Sequence, residues 1–152
     1  MSAEERMSIH ETDPEAYQSM FAMEKYIHKG SLGEPLLALV KMRASQINGC
    51  AYCLDMHARE AREAGVNQRL LDVLAGWREA TTLYSAREQA AIALTEEITL
   101  ISQDGVSDAA WRAANAAFSQ KELVTLMVAI SAINVWNRFA IATHQALPAA
   151  TA

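Results

Sequence analysis

Both cysteines of the chain and one of its four histidines fall within eight residues, Cys50-Ala51-Tyr52-Cys53-Leu54-Asp55-Met56-His57. On a helix, Cys53 and His57 stand one turn apart on the same face. Cys50 precedes them by another turn, near the helix N-terminus, where free N–H groups favour a thiolate over a thiol. The thiolate is the reactive form of cysteine, and helix N-termini and neighbouring histidines both promote it. Two thiols at this spacing can close into a disulfide and be reduced again. An imidazole titrates near neutral pH, which suits His57 to taking the proton from Cys53. The pattern points to sulfur redox chemistry.

Two plainer readings stand beside it. Cys50, Cys53 and His57 are three ligands of kinds that zinc accepts, and a catalytic zinc needs only three from protein. Structural zinc sites, however, usually draw on two separated ligand pairs, and no second Cys/His pair is present. The other reading is a pair of buried, inert cysteines. Tyr52, between the two, is placed either to feed a proton relay or to pack on the next helix. Asp55 and the Arg59-Glu60-Arg62-Glu63 run read as a solvated helix face with local charge pairs. His10, His28 and His144 have no such partners and read as incidental. In the last apolar stretch, Asn134, Trp136, Asn137 and Arg138 interrupt Ile130, Ile133, Val135 and Phe139, as if to meet the cysteine turn or a neighbouring subunit.

The elements that must position these groups are punctuated as helices. Asp13-Pro14 is an N-cap followed by proline at the first helical position, and Gly30 ends that helix. Pro35 opens a second helix running to about Gln46, and Asn48-Gly49 is a turn. The cysteine helix then runs to Gly65. Asn67 caps a short helix carrying Leu70, Leu71 and Leu74. Ser85 with Glu88, and Ser119 with Glu122, fit capping boxes that start two longer apolar helices, and Ser107 caps one between them. Nothing alternates like a strand for long, and no composition shift divides the chain. The expectation is one all-α domain, a single-domain helical bundle of about six to seven helices over residues 11–147, with flexible termini at 1–10 and 148–152.

Composition agrees. Half of the 152 residues are hydrophobic, and only three prolines and six glycines interrupt them. A domain of this size can bury a core of its own. The net charge is −5 with the signs interspersed. No basic stripe suited to phosphates is present, so no nucleic-acid partner is expected. No uninterrupted apolar run approaches the ~20 residues of a membrane span, and none is expected. The polar, acidic start of the chain is unlike a secretory signal, so a cytoplasmic location is expected. In a reducing compartment, two cysteines three apart read as redox-active or metal-binding rather than as a structural staple.

The run Ile47-Asn48-Gly49-Cys50-Ala51-Tyr52-Cys53 with His57 resembles the AhpD-type alkylhydroperoxidases of the carboxymuconolactone decarboxylase superfamily. The matching core runs over 36–77, and weaker similarity extends through Ser85-Ala86-Arg87-Glu88 to the stretch from Ser131 to Phe139. The resemblance implies an all-helical, AhpD-like subunit assembled as a homo-oligomer, a trimer or hexamer. It implies reduction of organic hydroperoxides at Cys53, deprotonated with the help of His57, with Cys50 resolving the sulfenic acid as a disulfide. The spacing is in keeping with this, since His57 lies one turn from Cys53 and two from Cys50. The implied reductant is a dithiol or lipoyl-bearing protein, and some members in turn reduce a peroxiredoxin. No haem, flavin or metal is implied. The carboxymuconolactone decarboxylases themselves share the fold but lack the cysteine pair.

One position departs from the pattern. The family relay usually includes a glutamate twelve residues before the first cysteine, where this chain has Ala38. Glu34, one turn earlier on the same helix face, and Glu88, approaching from another helix, are the candidates to replace it. The departure keeps open a thiol–disulfide oxidoreductase acting on a protein partner. A non-enzymatic metal-binding or redox-sensing module is the remaining alternative.

Overall fold

The helix starts expected at Asp13, Asn67, Ser85, Ser107 and Ser119 are each closed by that residue's side chain, whereas the one at Pro35 follows Gly33 with no side-chain cap. A computed structural model describes residues 4–149. Asp13 accepts from Glu15 N–H and Pro14 begins α2, Pro14–Lys29, which ends at Gly30. A short helix missed in the sequence, α1, Ile9–Thr12, precedes it and is capped by Ser8. Helix α3 spans Glu34–Asn48 and α4 spans Ala51–Glu63. Asn67 caps α5, Gln68–Val73, and two 3-10 helices follow, Leu74–Glu79 and Thr81–Leu83. Both capping boxes are formed, Ser85/Glu88 at α6, Ala86–Thr99, and Ser119/Glu122 at α9, Gln120–Thr143. Between them lie α7, Ile101–Asp104, and α8, Asp108–Ala117, the latter capped by Ser107.

The fold is all-α, as expected, with no strand among the described residues. Of the nine α-helices there, six are ten residues or longer. The expected flexible termini fall partly outside the described residues. Inside them, the N-terminal stretch runs along the end of α9. Arg6 N–H donates to Thr143 O at 2.8 Å, and its guanidinium donates to Ala142 O at 3.0 Å.

Helix α3 is the axis of the molecule. Every residue from Leu36 to Met42 is buried, so this helix has no solvent face and correspondingly little amphipathic pattern. On one side, Leu37 and Val40 meet Ile27, Leu94, Leu126 and Ile130 of α2, α6 and α9. On the other, Leu39 and Met42 meet Ala61, Leu71, Leu74 and Trp77. Glu96 of α6 ties this second core together, accepting from Arg43 Nε at 2.8 Å, Trp77 Nε1 at 2.8 Å and Arg78 Nη2 at 2.6 Å. Burial pushes the Glu96 carboxyl up, but the hydrogen bonds from Trp77, Arg78 and Arg43 outweigh it and hold the group below the usual range.

The length and composition of α9 would let it cross a membrane, although polar residues interrupt its apolar run. Of its polar residues Thr125 and Asn137 are buried, while Gln120, Lys121, Ser131 and Arg138 are exposed. Here α9 is a core helix, packed on α2, α3, α4, α6 and α8, and Asn137 at its centre is fully buried.

Candidate functional site

The cysteine turn is built by one backbone requirement and one side-chain cap. Gly49 has φ +70°, a left-handed conformation that L-residues with a Cβ avoid, and it turns the chain out of α3. Cys50 then serves as N-cap of α4, its Sγ accepting from Cys53 N–H at 3.3 Å. Cys50 and Cys53 are joined as a disulfide, with Cα atoms 5.3 Å apart.

Helix α9 anchors this turn from below. Asn48 Nδ2 donates to Asn134 Oδ1 at 2.9 Å and to Asn137 Oδ1 at 2.8 Å. Asn137 Nδ2 donates to Ser45 Oγ at 3.0 Å, and Asn134 Nδ2 donates to Thr99 Oγ1 at 3.0 Å. Two asparagines of the last helix therefore grip the end of α3 just before the first cysteine. Of the two expectations for this stretch, contact with the cysteine turn is the one the subunit contains.

Helix α2 packs on α9, α4 packs on α3 and α9, and the gap between α2 and α4 is a cavity of about 710 Å³. Phe21, Leu37, Ala38, Met56 and Trp136 give it an apolar lining. Tyr17 stacks edge-on against Trp136, ring centroids 5.1 Å apart, at the α2 side. Burial, and then the nearby Tyr52 phenol, push the Tyr17 hydroxyl above its usual range. Cys53 and His57 both line the cavity, whereas Cys50 is buried away from it.

His57 is only 4 % exposed. Its Nδ1 lies 2.7 Å from Glu60 Oε2, one turn further along α4. Its Nε2 is buried and has no hydrogen-bond partner among the described residues. The His57 hydrogen bond holds the Glu60 carboxyl below the usual range against the desolvation that raises it, and the charges of His57, Lys41 and His28 add to the lowering.

The opposite wall is polar. Lys41, buried beside Ala38, donates from Nζ to Glu24 Oε2 at 3.1 Å and lies 3.2 Å from His28 Nε2. His28 Nδ1 lies 2.6 Å from Glu34 Oε1, and Trp136 Nε1 donates to Glu24 Oε1 at 3.0 Å.

Of the residues singled out in the sequence, Cys53, His57, Tyr52 and Glu34 come together on this cavity, with Cys50 behind them. Glu88 does not. Its carboxylate accepts from Ser85 N–H at 2.8 Å in the capping box of α6, and it is not part of the cavity wall. His28 is not incidental, and Glu60 is not simply part of a solvated face. The i, i+3 spacing of His57 and Glu60 was the signal for the latter. Glu24 and His28 are an i, i+4 pair on α2, but nothing local signals that Lys41 joins them from α3. Cys50, Cys53 and His57 do not form a metal-ligand set, and no three His, Cys, Asp or Glu side chains do so among the described residues.

Fold and site together define an AhpD-like helical protein with a cysteine pair beside its cavity. The model of the carboxymuconolactone decarboxylase family matches residues 14–97, and the chain belongs to that family. It is 38 % identical over 138 residues to the uncharacterized protein YdfG of Bacillus subtilis (strain 168), covering 91 % of this chain and 93 % of that one. It superposes with TM-score 0.92 and 35 % identity on a protein of unknown function from Agrobacterium tumefaciens, provisionally ascribed to antioxidant defence as an AhpD. That match covers 97 % of this chain and all of the other. An uncharacterized peroxidase-related protein from Ralstonia eutropha JMP134, with an alkylhydroperoxidase AhpD core, shares the fold at TM-score 0.77 and 17 % identity. There the match covers 92 % and 74 % of the two chains. Membership is compatible with an enzyme of peroxidase or decarboxylase type.

Proposed function

We propose that the protein is a cysteine-based peroxidase that reduces organic hydroperoxides. The observation that carries this reading is the asymmetry of the pair: Cys53 reaches the cavity together with His57, while Cys50 is held behind it as the cap of α4. In the reduced protein, His57 takes the proton of Cys53, and the thiolate attacks the distal oxygen of the hydroperoxide. The O–O bond breaks, the alkoxide leaves and takes up a proton, and Cys53 becomes a sulfenic acid. The Cys50 thiol attacks that sulfur, water leaves, and the disulfide forms. The 5.3 Å Cα separation of the closed pair lies within the ordinary range for disulfides. A dithiol, free or carried as a lipoyl group on a partner protein, returns two electrons and two protons and restores the pair.

The test is dihydrolipoamide-dependent consumption of cumene hydroperoxide. Cys53→Ser abolishes it. Cys50→Ser keeps a single oxidation of Cys53 to the sulfenic acid, seen by mass spectrometry or trapping, but loses turnover. The reverse pattern overturns the assignment of roles. Ala38 supports a second reading, because the cavity floor lacks a carboxylate where the family usually carries one. In that reading the pair exchanges with the disulfide of a protein partner. Rapid exchange with a dithiol together with no hydroperoxide consumption would establish it instead.

The subunit also leaves Phe21, Tyr26, Ile101, Trp111, Val124 and Ile141 exposed. We infer that part of this surface is covered in a homo-oligomer, a trimer or hexamer. Sedimentation as a clean monomer at micromolar concentration overturns that inference.

A further inference from the structure

We propose that Glu60 is the positioning residue of this site: its carboxylate fixes the tautomer of His57 and leaves Nε2 as the proton acceptor for Cys53. The inference deepens the peroxidase reading and rests on its assignment of Cys53 and His57, but its evidence is separate.

An ionised carboxylate can only accept hydrogen bonds. With Oε2 of Glu60 2.7 Å from Nδ1, the imidazole hydrogen belongs on Nδ1. A neutral imidazole carries one N–H, so its remaining lone pair sits on Nε2. That nitrogen is buried and unpartnered, which is a costly state for a polar atom unless a partner exists in another state of the protein. Cys53 supplies one. It lies one turn earlier on the same face of α4 and on the same cavity. As half of a disulfide it has no thiol hydrogen to give. Reduction creates that hydrogen, so the orphaned acceptor marks the oxidised half of a cycle.

Neighbouring charges keep Glu60 available. From α3, Lys41 faces it but is engaged with Glu24 and His28. His28 of α2 is in turn engaged with Glu34. Glu63 of α4 completes the charged groups of the cavity wall. Lys41 and His28 favour an ionised Glu60 without drawing it off His57. A carboxylate three residues after the histidine thus does what Ala38 cannot. Once the proton has moved, Glu60 also stabilises the imidazolium against the Cys53 thiolate.

The test uses the full chain, reduced, in a Cys50→Ser background, where serine can still cap α4 and Cys53 is the single thiol. Glu60 is half exposed, so Glu60→Gln keeps the shape without burying anything new. The first readout is the rate of Cys53 alkylation by iodoacetamide across pH. We expect Glu60→Gln to slow it about tenfold at pH 7, equivalent to a midpoint about one pH unit higher. The second is the ¹⁵N spectrum of the neutral His57 imidazole, assigned by its loss in His57→Asn. It should show the hydrogen on Nδ1 in the parent and not uniquely so in Glu60→Gln. An unchanged alkylation profile, or a parent imidazole protonated on Nε2, overturns the proposal. Neither readout involves a peroxide. A Glu60-dependent profile in a protein without hydroperoxide turnover would therefore sink the peroxidase reading and leave this one standing.

Discussion

Replacing Asn137 with alanine tests whether α9 holds the cysteine turn. The side chain is fully buried, accepts from Asn48 at 2.8 Å and donates to Ser45 at 3.0 Å. Alanine removes both hydrogen bonds, each worth about 1 kcal/mol net, and leaves the buried Ser45 hydroxyl short of a partner at a further cost of about 1–3 kcal/mol. The better helix propensity of alanine returns about 0.5 kcal/mol. The expected loss is thus about 2.5–4.5 kcal/mol, and a domain of this length shifts by about 2–4 °C per kcal/mol, so Tm should fall by about 5–18 °C. Thermal unfolding of the oxidised protein followed by circular dichroism measures it. A double-mutant cycle separates the bond from the cavity. In the Asn137→Ala background, Ser45→Ala should cost about 1 kcal/mol less than in the parent, because the hydroxyl has already lost its partner. A Tm within about 1 °C of the parent, or strict additivity in the cycle, would refute the anchoring argument.

Gly49→Ala should cost about 1–2 kcal/mol from its positive φ alone, since nothing lies within 4 Å of an added Cβ. Asparagine there should cost less, and both are read from thermal melts. Glu122 closes the capping box of α9 and pairs with Arg87 at 2.8 Å, and these hydrogen bonds, that of Arg87 first, bring its carboxyl from 4.5 down to about 2. Because the folded value is depressed, its contribution is complete above about pH 4.5 and is lost as pH falls toward 2. The Tm gap between the parent and Glu122→Gln should therefore hold above pH 5 and close between pH 4.5 and 2; a gap constant over that window would contradict the assignment. Above pH 5, Arg87→Ala should lower Tm with a dependence on salt weaker than that of the exposed Asp55–Arg59 pair, because Glu122 is largely buried.

Helix starts were legible because their signals are local. Asp13-Pro14, Ser85 with Glu88 and Ser119 with Glu122 each satisfy backbone N–H groups within three residues, so sequence spacing carries the whole instruction. The 3-10 segment from Leu74 to Leu83 was not legible, since its anchor is the bond from Trp77 to Glu96, nineteen residues away. The break between α6 and α7 falls at Leu100, with φ −100° and ψ 34°, and neither glycine nor proline marks it. At the site, the cysteine helix and its histidine followed from a one-turn spacing. Glu60 has an equally readable spacing, but charged residues on helices pair at that distance everywhere. Only the burial of the His57 ring gives the pairing meaning. Glu88 shows the converse: the capping box that its own spacing announced already commits its carboxylate to the helix N-terminus, which leaves none for the site.

The gripping of α3 by α9 bears on what can be divided in this protein. The family match ends at Glu97, and every reactive atom of the proposed chemistry lies before that point. Trp136 and Ala140, which complete the cavity wall, and Asn134 and Asn137, which hold the turn, lie some forty residues beyond it. A fragment ending at residue 97 would keep the reagents and lose the vessel. Transplanting the cysteine motif onto another helical pair would meet the same obstacle unless an asparagine-bearing third helix came with it. The transferable unit is therefore the consecutive pair α3 and α4 together with the distant α9, and recombination that exchanges the C-terminal half would disarm the motif without changing one of its letters.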